Sequence, residues 1–224
     1  MRIGISIISL ALTFVATTAS AGVITSGTVY NNTGGVYGAG YEVENISNQS
    51  GLSAGYTDGV TDFDAYIAGA PTHATQESDG GSWLSAGVQG IPYILDFDLG
   101  SSQLVSALAL WNGAAGNNAS IQSFSVFGSD VSDFSVSSLM GDFVNPIGVS
   151  GLEPVNVFDL TDLTARYLRI VINSNYGNGC CVVIGEVAWN VGGAASEVPL
   201  PAALPLFLGG LASMSLFNRK RKRA

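Results

Sequence analysis

Tyr93-Ile94-Leu95-Asp96-Phe97-Asp98-Leu99-Gly100 alternates in a way that decides the fold: Leu95, Phe97 and Leu99 fall on one face, Asp96 and Asp98 on the other, and a glycine ends the run. Side chains of an extended chain point alternately to opposite faces, so the stretch reads as a half-buried β-strand. The pattern recurs in both directions from it. Leu104 to Trp111 is a more uniformly apolar strand, Ser123 to Phe127 alternates again, and Val155 to Leu160 follows a turn-rich stretch. Tyr167 to Ile172 sets Leu168, Ile170 and Ile172 against Tyr167, Arg169 and Val171. Val182 to Val191 sets Val183, Val187, Trp189 and Val191 against Glu186. No amphipathic helix longer than a few turns is visible, and no internal repeat. Short antiparallel strands joined by Gly- and Asn-rich turns predict an all-β fold, an antiparallel β-sandwich or jelly roll.

Composition agrees. Glycine supplies 26 of the 176 residues from 22 to 197, about twice the usual share of roughly 7%. Lys, Glu and Gln, which favour helices, are scarce. The charges are placed unevenly. Of 17 acidic and 8 basic residues in the 224, residues 22–197 hold all the carboxylates but only Arg166 and Arg169, a net charge of −15 with no lysine. Such a surface repels a phosphate backbone, which excludes nucleic acid as a partner. The two arginines either bind an anionic ligand or pair with acids, for which Asp159 and Asp162 are the expected partners.

The two ends have separate roles. Arg2, the apolar run Ile3 to Ala16 and the small residues Ala19-Ser20-Ala21 form a cleavable signal peptide over 1–21. Residues 22–40 lead into the sandwich and 192–197 link it to the C-terminal segment. From Leu200 to Phe217 eighteen residues carry no charge, about 27 Å of helix and enough to span a bilayer core. Arg219-Lys220-Arg221-Lys222-Arg223 would remain cytoplasmic, leaving the acidic body outside.

Val198-Pro199-Leu200-Pro201-Ala202, the apolar helix and the terminal basic cluster, in that order, resemble the PEP-CTERM sorting signal in its VPLPA variant. An ordinary membrane anchor accounts for the helix and the charges but not for the proline motif. The resemblance implies processing by an exosortase, transient anchoring in the inner membrane, and delivery to the outer surface or the exopolysaccharide matrix of a Gram-negative bacterium.

The strand order is similar to a second family. YILDFDLG (93–100), LVSALALWN (104–112), IQSFSVFGSD (121–130), FDLTDLTARYLRIVINSNYGNG (158–179) and VVIGEVAWN (182–190) resemble the discoidin, or coagulation-factor type C, galactose-binding-like domain, over roughly residues 41–191. That family often joins its ends with a disulfide, and no cysteine here lies near both ends. The resemblance implies a surface module that holds sugars with loops at one end of the sandwich, often with a structural calcium ion.

Candidate site residues follow. Asp58, Thr61, Asp62 and Asp64 gather three carboxylates and a hydroxyl into seven positions, the hard oxygen donors calcium takes. Resemblance adds Glu186 from the last strand. In so acidic a body the same loop also reads as a solvated turn. For contact with an exopolysaccharide or other glycan the candidates are His73, Trp83, Asn175 and Tyr176, since aromatic faces stack on sugar rings while His and Asn bond hydroxyls. The competing reading makes Trp83 a core residue and His73 an exposed loop residue. Cys180 and Cys181 are adjacent, with α-carbons about 3.8 Å apart against a usual disulfide span of about 4.4–6.8 Å. In an exported chain they form either a vicinal disulfide or an intermolecular crosslink. No Gly-x-Ser-x-Gly, His-Glu-x-x-His or phosphate loop is present. Asp96 and Asp98, about 6.6 Å apart along their strand, have a glycosidase-like spacing, but they read as a solvated face. The expected function is therefore non-enzymatic: a glycan-binding surface or matrix module. The alternative is a purely structural matrix or adhesion protein.

Overall fold

Two long strands hold the molecule together. A computed structural model describes residues 21–74, 81–87, 90–113, 118–149 and 151–192. The expected signal peptide up to Ser20, the proline motif Val198 to Ala202, the expected apolar helix and the basic tail lie outside them. The elements in chain order are β1 (Val23–Thr25), β2 (Thr28–Asn32), a 3-10 turn (Val43–Ser47), α1 (Phe63–Ala68), β3 (Thr72–Ala74), β4 (Trp83–Leu84), β5 (Tyr93–Asn112), β6 (Ile121–Ser129), β7 (Ser138–Val144), β8 (Leu152–Asn175) and β9 (Val183–Val191). All strand pairings are antiparallel.

β5 and β8 pair along most of their length, but the register breaks between Asp98 and Gln103, where Gly100 adopts φ 79°. A left-handed backbone of that kind suits glycine and bends the pair. Each long strand therefore belongs to two layers. In one, Tyr93–Asp98 pairs with β2 and with the second half of β8, which continues through β6 to β7. In the other, the second half of β5 lies between the first half of β8 and β9, with β1 and β4 on β9. The layers pack face to face through Leu95, Phe97, Phe124, Val126, Leu168 and Ile170 against Leu108, Leu110, Val187, Trp189 and Val191. Phe97 meets Trp189 edge to face at 5.4 Å. Leu95, Phe97, Leu168, Ile170, Val187, Trp189 and Val191 lie on the faces the period-two reading gave them; Val183, read with the last three, packs instead with Leu84, Ala119 and Cys181, because the register of β9 on β5 shifts between Trp111 and Asn112.

The outer face of the second layer departs from that reading. Ala107, Ala109, Trp111 and Ala188 point away from the central core yet are buried, because the 43–74 segment lies over them with Tyr56 and Phe63. A sheet covered on both sides needs apolar residues on both, which explains the uniform run from Leu104 to Trp111. Trp111 Nε1 donates to the Pro71 carbonyl at 3.0 Å, fastening this cover.

The two arginines of the domain do not pair with Asp159 or Asp162. Arg169 bonds Asp96 through Nε and Nη2 at 2.7 and 2.9 Å, and Arg166 bonds Asp98 at 2.8 and 2.9 Å. Antiparallel pairing of β5 with β8 sets Asp96 directly opposite Arg169, whereas Asp159 lies opposite Ala107 in the other layer. Asp96 is not on a solvated face either. It is 2% exposed, because Asn31 donates to it from β2 and Phe134 covers Arg169 at 4.0 Å.

Candidate functional site

One end of the sandwich gathers the β4–β5, β5–β6 and β8–β9 connections together with the loop after β2. Its floor is polar and closed. Buried Asn112 donates to the carbonyls of Ile121 and Pro146 and accepts from the Ile121 and Gly113 amides, which fixes both ends of the loop after β5.

The β8–β9 turn is built by its own asparagines, whose short side chains replace backbone partners in tight turns. Asn175 donates to the carbonyls of Asn178 and Cys181 and accepts from Gly177, which has φ 90°. Asn178 Oδ1 accepts from the amides of Cys180 and Cys181 at 2.6 and 3.2 Å. Asn175, a predicted ligand contact, is thus spent on shaping the loop. Tyr176 is half-buried and donates to the Asn145 carbonyl at 2.6 Å, tying the loop to the strand end after β7. The side chain of Asn145 is itself wholly buried and has no hydrogen-bond partner.

Cys180 and Cys181 form a disulfide with each other, the vicinal one of the two expected arrangements. Cys181 packs with Leu84, Ala119 and Val183, and Tyr41 lies against this group. Cys180 is exposed. Tyr37, 58% exposed, meets Tyr41 edge to face at 6.1 Å and is held by its amide on the Leu84 carbonyl. Asn178 donates through its amide and through Nδ2 to Asn118, joining the turn to the loop after β5. Three chain segments therefore bring two tyrosine rings, a disulfide and a pair of amides to one surface. Rings of this kind cover the C–H faces of a sugar and the exposed Asn118 amide bonds its hydroxyls, while Asn178 is spent on the turn as Asn175 is. Sequence reasoning placed Tyr176 here but missed Tyr37, Tyr41, Asn118 and Asn178, which sit in turns with no periodicity. Their one signal is the Gly- and Asn-rich composition of those turns.

The other predicted ligand residues face inward. Trp83 is a core residue, 0% exposed, with Nε1 donating to the Gly35 carbonyl. His73 lies in β3 rather than an exposed loop, and is also fully buried. Its Nε2 lies 2.7 Å from the Ser50 carbonyl, which can only accept, so that nitrogen carries the proton. Burial lowers the pKa of the ring and keeps it neutral. A side chain at Gly51 or Gly185 would come within 2.8 Å of the imidazole, so both positions must be glycine to admit it.

The calcium candidates do not converge. Asp58 accepts from the amide and hydroxyl of Ser26. Thr61 accepts from the Thr57 amide, and Asp62 caps α1 by accepting from Ala65 at 2.7 Å. Asp64 is exposed in the first turn of that helix. Glu186 is fully buried under the 43–74 segment, where Oε2 accepts from the Gln49 amide and Oε1 has no partner. Burial pushes its pKa up to about 9. Calcium takes six to eight oxygens, and among the described residues no three His, Cys, Asp or Glu side chains come together. The predicted five-residue set does not fit the ion.

No protein-family model and no curated protein matches the chain. Solved structures do. The family 32 carbohydrate-binding module of Streptococcus pneumoniae EndoD is 15% identical with a TM-score of 0.48, over 78% of this chain and 100% of that one. Chitosan-binding module 2 from a Paenibacillus sp. IK-5 chitosanase/glucanase, solved with chitotriose, is 14% identical with a TM-score of 0.47, over 75% and 98%. The family 32 module of C. perfringens NanJ, solved with galactose, is 18% identical with a TM-score of 0.41, over 53% and 89%. These are similarities of fold.

Proposed function

We propose that the mature protein is a non-catalytic glycan-binding module, exported by its signal peptide and delivered by an exosortase to the cell surface or exopolysaccharide matrix. The observation that carries the binding reading is the convergence of Tyr37, Tyr41, Asn118, Asn178 and the Cys180–Cys181 disulfide on one loop end. Solvent-facing aromatic rings beside fixed amides suit an uncharged polyhydroxylated ligand. The arginines that could recruit an anionic one are already held by Asp96 and Asp98. Those same ion pairs engage both carboxylates whose spacing resembles that of a glycosidase.

The test is a glycan array followed by calorimetric titration of the chain from Gly22 to Glu197. Saccharide binding weakened about fivefold by Tyr37→Ala is expected, corresponding to about 1 kcal/mol of ring contact. Absence of binding to every saccharide would leave a structural matrix role. Deletion of 198–224 should release the protein into the periplasm or medium; unchanged surface retention would count against sorting.

A further inference from the structure

The opposite end of the sandwich holds a groove that the reading above does not use. It lies where the turn between β1 and β2 meets the bend of β5, has a volume of about 430 Å3, and is lined by Thr25, Thr28, Tyr30, Asp58, Asp98 and Gly100 among others. That size is within the range of small-molecule sites, about 300–1,000 Å3.

Its polar groups are held in place from behind. Asp98 takes two bonds from Arg166 and one from the Gly100 amide at 2.7 Å. Asp58 is fixed by the amide and hydroxyl of Ser26 at 2.9 to 3.2 Å. The Tyr30 hydroxyl donates to the Ser132 carbonyl at 2.8 Å, and its ring meets Tyr167 edge to face at 5.8 Å. The ring is therefore a wall of set orientation, and it is 43% exposed. Gly100, at φ 79°, makes the bend beside the groove, and a Cβ there would point into open space. A fixed aromatic wall, two oriented carboxylates and the hydroxyls of Thr25 and Thr28 form a preorganised set of contacts for a sugar ring, with little ordering left for binding to oppose.

Charge narrows the ligand. Among the described residues the ion pairs are Arg166–Asp98 and Arg169–Asp96, which leaves Asp58 without a cation. The groove thus carries a net negative charge inside an already acidic body. It repels uronates and phosphorylated sugars and favours a cationic one.

We propose that this groove is a second carbohydrate subsite, selective for a sugar unit bearing a free amine, with Asp58 facing the ammonium and Tyr30 lining the ring. The proposal is independent of the opposite loop end. With both sites occupied, one molecule would bridge two glycan segments, and tethering of that kind raises avidity without new contacts.

The experiment is an amide chemical-shift titration of the protein with the glucosamine trisaccharide, its N-acetylated form serving as the neutral comparison. Shifts at Thr25, Thr28 and Gly100 are expected, with binding about tenfold weaker for the acetylated sugar. Asp58→Asn keeps an acceptor for Ser26 and should weaken the amine-bearing sugar about tenfold, with little effect on the acetylated one. Thr28→Arg, at an exposed position, should abolish the shifts by filling the groove and cancelling the charge of Asp58. The proposal is overturned if none of these amides responds, if the shifts are confined to Tyr37, Tyr41, Asn118 and Asn178, or if the variants bind as the parent does.

Discussion

Removal of Asp96 tests the packing of the first layer most directly. Its carboxylate is 2% exposed and accepts three bonds, two from Arg169 and one from Asn31 at 2.8 Å. Asp96→Ala leaves a guanidinium beneath Phe134 and an Asn31 amide without their acceptor. Breaking a buried ion pair by deleting one partner costs about 3–5 kcal/mol. The Arg169 side chain retains 23% exposure and can relax partly toward water, so the lower end applies, about 3 kcal/mol. In a domain of this size each kcal/mol moves Tm by about 2–4 °C, which gives a fall of about 6–12 °C. The assay is thermal and urea unfolding of Asp96→Ala, Arg169→Met and the double variant. Because each single change strands the other member of the pair, the double variant should lose clearly less than the sum of the two. A loss below about 1 kcal/mol for Asp96→Ala, with additive effects, would refute the reasoning and return the pair to the class of solvated surface pairs.

Other outcomes follow from buried acids, the dispersed carboxylates and the disulfide. Burial raises Glu186 to about 9 and Glu153 to about 7, both above the usual glutamate value of 4.5. The folded protein thus holds protons that the unfolded chain releases. This stabilisation is complete below about pH 4.5 and is lost as pH rises through 7 and then 9. Tm should fall across that window, and Glu186→Gln, which stays neutral, should flatten its upper part; a Tm that rises from pH 6 to 9 would contradict the assignment. Because the five predicted calcium ligands are dispersed, EDTA should leave Tm within about 1 °C. A drop of several degrees that calcium reverses would show that Glu186 finds further oxygen ligands. Reduction of Cys180–Cys181 by an external dithiol, which is oxidised in exchange, frees the turn that Asn178 ties to Asn118. Glycan binding at that end should weaken severalfold with little change in Tm, and equal affinity in both redox states would remove the disulfide from the site.

Most strand positions were legible because alternation is a local property. Leu95, Phe97, Leu168, Ile170 and Trp189 face the core as their spacing requires. β7 was missed: Ser138-Leu139-Met140-Gly141-Asp142-Phe143-Val144 is an edge strand in which Met140 alone is buried, so little hydrophobic alternation marks it. β3 and β4 span three and two residues, too short for a period to appear. The candidate site was less legible still. Tyr37 and Asn118 lie 81 positions apart in the chain and meet through contacts with Leu84, Ala119 and Asn178, and no local pattern encodes that meeting.

By itself the sequence determined the sandwich class, the inward faces of most of its main strands and the acidic lysine-free body. These follow from side-chain periodicity and from summed charge, neither of which needs three-dimensional neighbours. Tertiary structure alone decided which charges neutralise one another and which apparently outward residues are covered. Asp96 finds Arg169 across 73 positions through the register of β5 and β8. Glu186, set on the outward side of β9 by its alternation, is covered because the 43–74 segment closes over that face. Burial and pairing depend on what a distant segment brings to the same point, and that is a property of the folded chain.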